Sequence, residues 1–253
     1  MQDKAQRILV VNAKGGCGKT TVATNLASYF ARQYSTLLVD QDPQGSSMRW
    51  LSQRMDNLPK IVGMKGGDAG YRPNVTRAWL MQNPLYQKTI IDAPAGVAGH
   101  ALAKLVAQVD TILIPVQPSP IDISATADFI RDLLLDGKIR QHGIRLGIVA
   151  NRVKANTRIY HTLRRFLKTL GLPFVGILRD TQNYVRAVDE GLGIHDLPSS
   201  QTEADVEQWK TVINWLQNKF EVQKTTSIRE HITARAAPLS VASNGNIAAS
   251  GSV

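Results

Sequence analysis

The segment 14–21 contains the residues with the most specific chemistry, and it reads Lys-Gly-Gly-Cys-Gly-Lys-Thr-Thr. Its glycines let backbone N–H groups curl around phosphate oxygens, where larger side chains would obstruct them. The segment follows an apolar run at 8–12 and opens a helical pattern at 20–31. The helix N-terminus therefore adds free N–H groups and its positive dipole end. In such a loop Lys19 reaches the β- and γ-phosphates, and the Thr20 hydroxyl ligates Mg²⁺. The predicted nucleotide ligands are Gly15, Gly16, Cys17, Gly18, Lys19, Thr20 and Thr21.

Three aspartates stand at the ends of apolar runs. Asp40 and Asp42 follow STLLV, and Asp92 closes TII. In a parallel sheet such positions face the phosphate site. An aspartate that ends a strand supplies the Mg²⁺ contact in P-loop NTPases, usually through water, and we assign this role to Asp92. Asp42 is expected to orient the attacking water, and Asp40 to support the magnesium shell. The alternative is that one of these two caps the following helix or closes a turn.

Short apolar runs alternate with helical patterns along most of the chain, which is typical of a parallel sheet covered on both faces. The predicted strands are 8–12, 35–40, 89–92, 111–116, 145–151 and 174–178. The predicted helices are 20–31, 45–54, 99–108, 122–136, 157–170, 182–191 and 203–220. We therefore predict a single-domain α/β fold like that of P-loop NTPases, with a mostly parallel, twisted sheet. In the less regular residues 43–88 we expect loops or a short edge element after the helix.

Composition limits the expected partners, the cysteine chemistry and the compartment of the protein. The chain has 253 residues, of which 43% are hydrophobic, and a formal net charge of +10, which favours contact with a polyanion. A single cysteine, Cys17, excludes a disulfide framework or a cysteine-held metal cluster within one chain. No secretory signal or membrane span is evident, so the expected compartment is the cytoplasm. Residues 1–221 are predicted to form the domain, and 222–253, which contain no aromatic residue, a disordered tail.

The phosphate loop departs from the common pattern in a way that is informative. Ala13 stands where G-x-x-x-x-G-K-[ST] has its first glycine, and Lys14 adds a second lysine. This loop resembles the deviant loop of the ParA/MinD ATPases, and the resemblance covers residues 7–220. It implies an ATPase with a weak intrinsic rate, with Lys14, Lys19 and Asp42 as catalytic residues. It also implies that Lys14 reaches the phosphates of a partner subunit in an ATP-bound homodimer.

Two further segments are similar to this family. IIDAPAG resembles a switch loop at 93–96, although many members have Thr-Pro-Pro after the aspartate. PVQPSPIDISA resembles small plasmid partition ATPases such as ParF, which implies that Pro118, Ser119 and Pro120 join Lys14 at the dimer interface. A plain loop after a strand is the alternative. In relatives, an Asn placed like Asn151 binds the adenine edge; the alternative is a turn residue.

Positive charge is concentrated in residues 131–180, which hold 11 Lys/Arg against 3 Asp/Glu. The helix at 157–170 should bury Ile159, Leu163, Phe166, Leu167 and Leu170. The predicted basic surface consists of Arg152, Lys154, Arg158, Arg164, Arg165, Lys168, Arg179 and Arg186. Such a surface binds DNA phosphates without reading bases. Arg179 resembles, in position, an arginine that ParA proteins use for nonspecific DNA binding.

The resemblance implies a DNA-based switch associated with the nucleoid. A ParB-like or cargo-adaptor partner would stimulate hydrolysis, and the cargo would be a plasmid, a chromosome region or a protein organelle such as a carboxysome or chemotaxis cluster. The alternative is a MinD-like membrane-associated regulator, which would use a C-terminal amphipathic helix. The helix at 203–220 has an apolar face and an outer face with Asp205, Glu207 and Glu221, a poor match to anionic lipid. We expect it to pack on the sheet, with no membrane partner.

Overall fold

The computed structural model describes residues 5–66, 86–135, 139, 143–154, 157–169 and 171–218. The strands are β1 Gln6–Val10, β2 Thr36–Asp40, β3 Ile61–Lys65, β4 Lys88–Asp92, β5 Thr111–Val116, β6 Arg145–Val153 and β7 Phe174–Arg179. The helices are α1 Lys19–Ala31, α2 Ser46–Ser52, α3 Gly99–Val106, α4 Pro120–Leu135, α5 Arg158–Thr169, α6 Gln182–Asp189 and α7 Ser199–Gln217, with a 3-10 helix at Ile194–Asp196. The predicted tail lies outside the described residues.

The strands form one sheet in the order β3-β2-β4-β1-β5-β6-β7, and all neighbouring pairs are parallel. This confirms the predicted α/β class and its sheet. The expected edge element in the irregular region is β3, which pairs with β2 alone among the described strands. Parallel pairing brings the carboxyl ends of all these strands to one edge of the sheet, where ligands bind in open α/β folds.

Apolar residues cover both faces of the sheet. Along β1, Leu9 belongs to a core cluster shared with α3, α4 and α5, whereas Ile8 and Val10 belong to a second cluster shared with α1 and α7. Alternate residues of a strand point to opposite faces, so one buried run serves two helical layers. Trp50 and Trp209 are the largest fully buried side chains of the second layer.

Helix α7 packs on the sheet as predicted. Trp209, Val212 and Leu216 are buried, and a Cβ on Gly176 of β7 would lie 2.4 Å from Val212 Cγ2. One residue of this helix was wrongly assigned to the outer face. Asp205 is fully buried because it is paired with Arg179, whereas Glu207 is exposed as expected. Among the described residues, no helix is long and apolar enough to cross a membrane.

Strand β6 extends past its predicted end through a bulge. Its pairing with β7 shifts register between Ala150 and Val153. Within the shift, Arg152 has φ 53°, a left-handed conformation that no other non-glycine residue of the described chain adopts. A bulge of this kind changes the direction of the side chains around it.

Candidate functional site

The loop between β1 and α1 has the backbone of an anion cradle. Gly16 and Gly18 have φ values of 74° and 95°, which side-chain-bearing residues rarely adopt. Gly18 is the N-cap of α1, and no side chain caps the N–H groups of the first turn. These N–H groups, with the positive end of the helix dipole, remain available to an anion.

The two lysines of this loop differ in their surroundings. Lys19 is buried, and its Nζ donates to the Lys14 carbonyl over 3.0 Å, so its ammonium lies over the loop. The same carbonyl accepts from Cys17 Sγ at 3.3 Å. Burial raises the pKa of the Cys17 thiol, although the Lys19 charge acts in the opposite direction. The recorded hydrogen bonds of Lys14 involve only its backbone, so its half-buried side chain is not used to build the loop.

Three polar side chains anchor the loop to neighbouring strands. Buried Asn12 donates to the Pro115 carbonyl at 2.9 Å and accepts from the Lys14 N–H at 3.1 Å. Gln117 Nε2 donates to the Gly16 carbonyl at 2.8 Å, and Asn151 Nδ2 to the Cys17 carbonyl at 2.9 Å. Sequence reasoning missed Asn12 and Gln117. Their only signal was a polar residue just after an apolar strand.

Asn151 therefore lies against the phosphate loop. It is 3% exposed, and a Cβ built on Gly18 would lie 2.0 Å from its Nδ2. Its predicted contact with an adenine edge stays a prediction.

Asp92 supplies an unpartnered buried charge at the end of β4. It is fully buried, and neither carboxylate oxygen has a hydrogen-bond partner within the described chain. Burial raises its pKa to about 7, with a contribution from the Asp40 charge, while the nearby Thr20 and Ser47 hydroxyls and Lys19 lower it. A carboxylate beside hydroxyls offers the hard oxygen ligands that Mg²⁺ prefers. The residues present therefore fit the predicted cation, which Thr20 and Asp92 would hold.

No cluster of three His, Cys, Asp or Glu that could hold a metal occurs in the described part of the chain. A cation at Asp92 would thus depend on phosphate oxygens and water for its remaining ligands. This is how Mg²⁺ is usually held beside nucleotides.

Asp40 has a different place from the one expected. Its Oδ1 accepts from the Asp42 N–H and its Oδ2 from the Met48 N–H, both at 3.0 Å. Each oxygen thus accepts a hydrogen bond from the turn or from the first turn of α2, as the capping alternative predicts. Support of a magnesium shell by Asp40 stays a prediction.

Asp42 lies half-buried in the turn that leads to α2. Its Oδ1 accepts from the Gln44 N–H at 3.0 Å, and its carbonyl accepts from the Gly45 N–H at 2.9 Å. This is an Asx turn, and it holds the side chain at the sheet edge that carries the phosphate loop. Its assignment to an attacking water stays a prediction.

The 93–96 segment touches the phosphate loop directly. The Gly96 N–H donates to the Ala13 carbonyl at 2.9 Å, and a Cβ on Gly15 would meet the Ala95 Cβ at 4.0 Å. Gly96 has φ 70°, which a residue with a side chain would adopt only under strain. A shift of either segment would therefore displace the other.

The Pro118–Pro120 segment is a rigid start to α4. The Ser119 hydroxyl caps the helix by accepting from the Asp122 N–H at 3.1 Å, and it also donates to the Asp122 carboxylate. The next residue, Ile121, is 71% exposed, which is unusual for a large apolar side chain. This exposed apolar residue fits the dimer interface that the resemblance implies.

The basic residues of α5 are arranged as predicted. Leu163 and Leu167 are buried in the core, and Ile159 and Phe166 are partly buried against it. Leu170 lies outside the described residues. The side chains left outside are Arg158, Arg164, Arg165 and Lys168, and all four are exposed.

The rest of the predicted basic surface is mostly paired with carboxylates. Arg179 makes a two-point ion pair with buried Asp205, with Nη2 3.1 Å from Oδ2, and Asp205 raises the pKa of Arg179. Lys154 lies 3.8 Å from Asp180, and Arg186 lies 3.4 Å from Glu190. Arg152 is exposed and lines a cleft of about 290 Å³ beside Gln117 and Ser119. The structure therefore assigns Arg179 a structural role that the sequence did not reveal.

Two relatives resemble this chain over most of their length. The maintenance of carboxysome distribution protein A of Halothiobacillus neapolitanus is 28% identical over 196 residues, which cover 77% of this chain and 89% of that protein. The protein of the same name from Gloeobacter kilaueensis is 31% identical over 188 residues, which cover 74% and 82%.

Solved structures share the fold at lower identity. Cyanothece McdA without nucleotide superposes with a TM-score of 0.67 at 16% identity, covering 83% of this chain and 99% of that chain. Its ATP complex gives 0.66 at 16% identity, covering 84% and 97%. At this identity the likeness concerns the fold.

A family profile covers both the loop and the sheet around it. Residues 8–194 match the family described as the CobQ/CobB/MinD/ParA nucleotide binding domain. The match includes the phosphate loop, Asp92 and the anchoring side chains of β5 and β6. This chain belongs to the CobQ/CobB/MinD/ParA nucleotide-binding domain family.

Proposed function

We propose that this protein is an ATPase with a weak intrinsic rate that acts as a switch and positions a cargo. With Mg-ATP bound, two copies form a dimer that binds DNA nonspecifically. A ParB-like or cargo-adaptor partner stimulates hydrolysis and releases the dimer. The observation that carries this proposal is the phosphate loop, where Lys14 accompanies a cradle completed by Lys19 and bordered by the unpartnered carboxylate of Asp92.

Different residues of the chain bind the phosphates, neutralise their charge and orient the attacking water. The N–H groups of the loop and of the first turn of α1 bind phosphate oxygens, and Lys19 neutralises their charge. Mg²⁺, when bound, balances charge on the β- and γ-phosphates. Asp42 orients the attacking water, since only its Oδ1 is used by the Asx turn within the described residues.

Lys14 acts across the dimer in this proposal. Its backbone is held on both sides, by Asn12 at the N–H and by Lys19 at the carbonyl, so the start of its side chain is fixed. A fixed origin lets a long cation reach the phosphates of a second subunit. The Pro118–Ile121 segment, in which Pro120 and Ile121 are exposed, follows Gln117, which contacts this loop, and it fits the same interface.

DNA binding is assigned to the exposed cations of α5, with Arg152 and Lys154 at the nearby cleft. These side chains would contact phosphates, so the affinity should fall steeply with salt. The buried apolar face of α7 argues against the MinD-like alternative, because a helix that packs in the core has no apolar face left for lipid.

The cargo class is supported by the relatives. Two proteins that resemble this chain are named for carboxysome distribution, which favours a protein organelle among the expected cargoes. The proposed site of action is the cytoplasm, on the nucleoid.

The test is fluorescence anisotropy of a labelled DNA duplex of arbitrary sequence. The protein is titrated without nucleotide, with ADP, and with Mg-ATP, at two salt concentrations. Lys14→Ala is compared with Lys60→Ala, which removes an exposed lysine that precedes β3. Analytical ultracentrifugation of the same samples reports dimer formation.

We expect DNA binding and dimers only with Mg-ATP, weaker binding at higher salt, and loss of both in Lys14→Ala but not in Lys60→Ala. ATP-independent or absent DNA binding would overturn the proposal. Liposome sedimentation with Mg-ATP then tests the membrane alternative directly.

A further inference from the structure

Two consecutive carbonyls of the phosphate loop are held by side-chain amides from two neighbouring strands. The Gly16 carbonyl accepts from Gln117, just after β5, at 2.8 Å. The Cys17 carbonyl accepts from Asn151 of β6 at 2.9 Å. Both contacts are made within the chain itself.

The direction of these carbonyls decides whether the loop can bind an anion. A peptide unit carries its N–H and its carbonyl on opposite sides, and a carbonyl turned toward a phosphate repels it. The left-handed glycines at 16 and 18 allow successive N–H groups to converge on one point. The outward carbonyls then need donors of their own, because a buried acceptor without a partner is costly.

A side-chain amide is well suited to this task. It donates a hydrogen bond without bringing a positive charge that would compete with Lys19 for the phosphate. Gln117 and Asn151 approach from strands that are adjacent in the sheet, so the loop is held at two successive peptide units. The loop is thereby prevented from turning either carbonyl inward.

Asn151 lies on the face of β6 that carries the loop, because strand alternation places it on the same face as Val149, which packs with α1. The left-handed Arg152 comes next, within the register shift between Ala150 and Val153. Asn151 is 3% exposed and packs on Gly18, whereas its neighbour Arg152 is exposed in the cleft. A strained backbone that is retained beside a ligand site often has a positioning role.

We propose that Gln117 and Asn151 are positioning residues that hold the phosphate loop in its anion-binding shape. Asn151 accordingly contributes to nucleotide binding through the phosphates, by way of the Cys17 carbonyl. This inference rests on the proposed nucleotide function and deepens it. Gln117 also joins the loop to the Pro118–Pro120 segment at the start of α4.

The experiment separates phosphate binding from base recognition. Isothermal titration calorimetry measures the affinity of the full-length protein for Mg-ATP, Mg-GTP and magnesium tripolyphosphate, which has no base. The variants are Gln117→Met and Asn151→Ala. Their matched controls are Gln53→Met at the end of α2 and Asn214→Ala on α7, both exposed. Thermal unfolding without ligand reports folding for every variant.

We expect each loop variant to weaken all three ligands by the same factor, about tenfold for the loss of one hydrogen bond. The ratio of ATP to GTP affinity should stay unchanged, and the controls should match the wild type. A combined Gln117→Met and Asn151→Ala variant should lose less than the product of the two factors, because both act on one loop.

The opposite pattern overturns the inference. If Asn151→Ala lowers ATP affinity and removes the preference over GTP while tripolyphosphate binds normally, Asn151 reads the base. Gln117 is half-exposed, so Gln117→Met should fold. If this variant binds every ligand like the wild type, Gln117 does not position the phosphate loop. A wild-type protein that binds neither ATP nor tripolyphosphate overturns the proposed function itself, and the inference with it.

Discussion

Asp40 and Asp92 occupy the same register position on the adjacent strands β2 and β4, and both side chains are fully buried. They differ in their partners. Asp40 accepts two backbone N–H groups, whereas Asp92 has no hydrogen-bond partner within the described chain. The fold therefore fixes Asp40 as a structural carboxylate, and the charge of Asp40 adds to the burial that raises the pKa of Asp92 to about 7. Of these two carboxylates, that of Asp92 is the one available to a ligand.

Replacement of Asp92 by Asn should separate stability from binding. The substitution removes a buried carboxylate that lacks a partner, so Asp92→Asn is expected to raise the free energy of unfolding of the ligand-free protein by about 1–2 kcal/mol. It should also weaken Mg-ATP binding, because a ligand of the cation is lost. Chemical denaturation in EDTA measures the first effect, and calorimetry with and without Mg²⁺ the second.

Asp40→Asn is the matched control for this prediction. It removes one of two acceptors used by backbone N–H groups, so it should lower stability where Asp92→Asn raises it. A destabilised Asp92→Asn protein would show that its carboxylate is satisfied within the apo fold, contrary to our interpretation.

The Arg179–Asp205 pair should behave as a structural contact. Arg179→Ala leaves Asp205 buried without its cation, and we expect a loss of about 2 kcal/mol, reduced from the value for fully buried pairs because Arg179 is 40% exposed. The double variant Arg179→Ala with Asp205→Ala should recover part of that loss. Urea denaturation of the two single variants and the double variant measures the coupling, and additive losses would contradict it.

The exposed cations of α5 should contribute to DNA affinity and not to stability. Arg164→Ala with Arg165→Ala removes two exposed guanidinium groups that face solvent, so stability should stay within about 0.5 kcal/mol of the wild type. The slope of log DNA affinity against log salt should become shallower by about 1.8, since each phosphate contact contributes about 0.9. Lys210→Ala, on the opposite face of the sheet, should leave the slope unchanged. An unchanged slope in the double variant would remove α5 from the DNA interface.

Local patterns predicted the phosphate loop, six of the seven strands and the amphipathic helix at 157–170, because each depends on residues close together in the chain. Long-range relationships were out of reach. Asp205 was assigned to the outer face from helical spacing, and the approach of Arg179 from β7 and of Asn183 from α6 explains its burial. The contact of Asn151 with the Cys17 carbonyl joins residues far apart in the sequence, and the register shift beside Asn151 has no signature in the sequence.

His195 gives the fold a specific pH dependence. Burial lowers its pKa to about 4, and the Arg32 charge acts in the same direction against the opposing Asp196. The unfolded chain takes up this proton near pH 6.5, so the contribution of His195 to stability is lost as the pH falls from about 6.5 towards 4, by about 2 kcal/mol at pH 5. Asp92, whose pKa is raised to about 7, contributes in the opposite direction over the same range, so the effect of His195 is read from its variant and not from the wild type alone. The pKa of Asp196 is itself lowered, so its own contribution is lost only below about pH 3.8, outside that window.

The measurement is urea denaturation at pH 7.5 and pH 5 for the wild type, His195→Gln and His161→Gln. His161 is exposed on α5 and serves as the matched control. Compared with the wild type, His195→Gln should gain about 2 kcal/mol of stability at pH 5 relative to pH 7.5, whereas His161→Gln should follow the wild type at both values. An equal pH dependence in all three proteins would assign the effect to other groups.

The left-handed backbone at Arg152 predicts an order of stability among substitutions. A non-glycine residue at φ 53° costs roughly 1 kcal/mol, and a β-branched residue costs more. Arg152→Gly relieves this strain, although the added freedom of the unfolded chain offsets part of the gain. Arg152→Val should instead unfold more readily than the wild type. Lys65→Val, at an exposed position in the regular strand β3, controls for the change of side chain.

The same substitutions bear on the phosphate loop, because Arg152 directly follows Asn151, which donates to the Cys17 carbonyl. If Arg152→Val straightens the strand, it should also weaken tripolyphosphate binding, whereas Arg152→Gly should keep it. Thermal unfolding and calorimetry on the same preparations give both quantities. Loss of stability in Arg152→Val with full tripolyphosphate affinity would show that the loop keeps its shape without the bulge, and that the strain at this position serves the sheet alone.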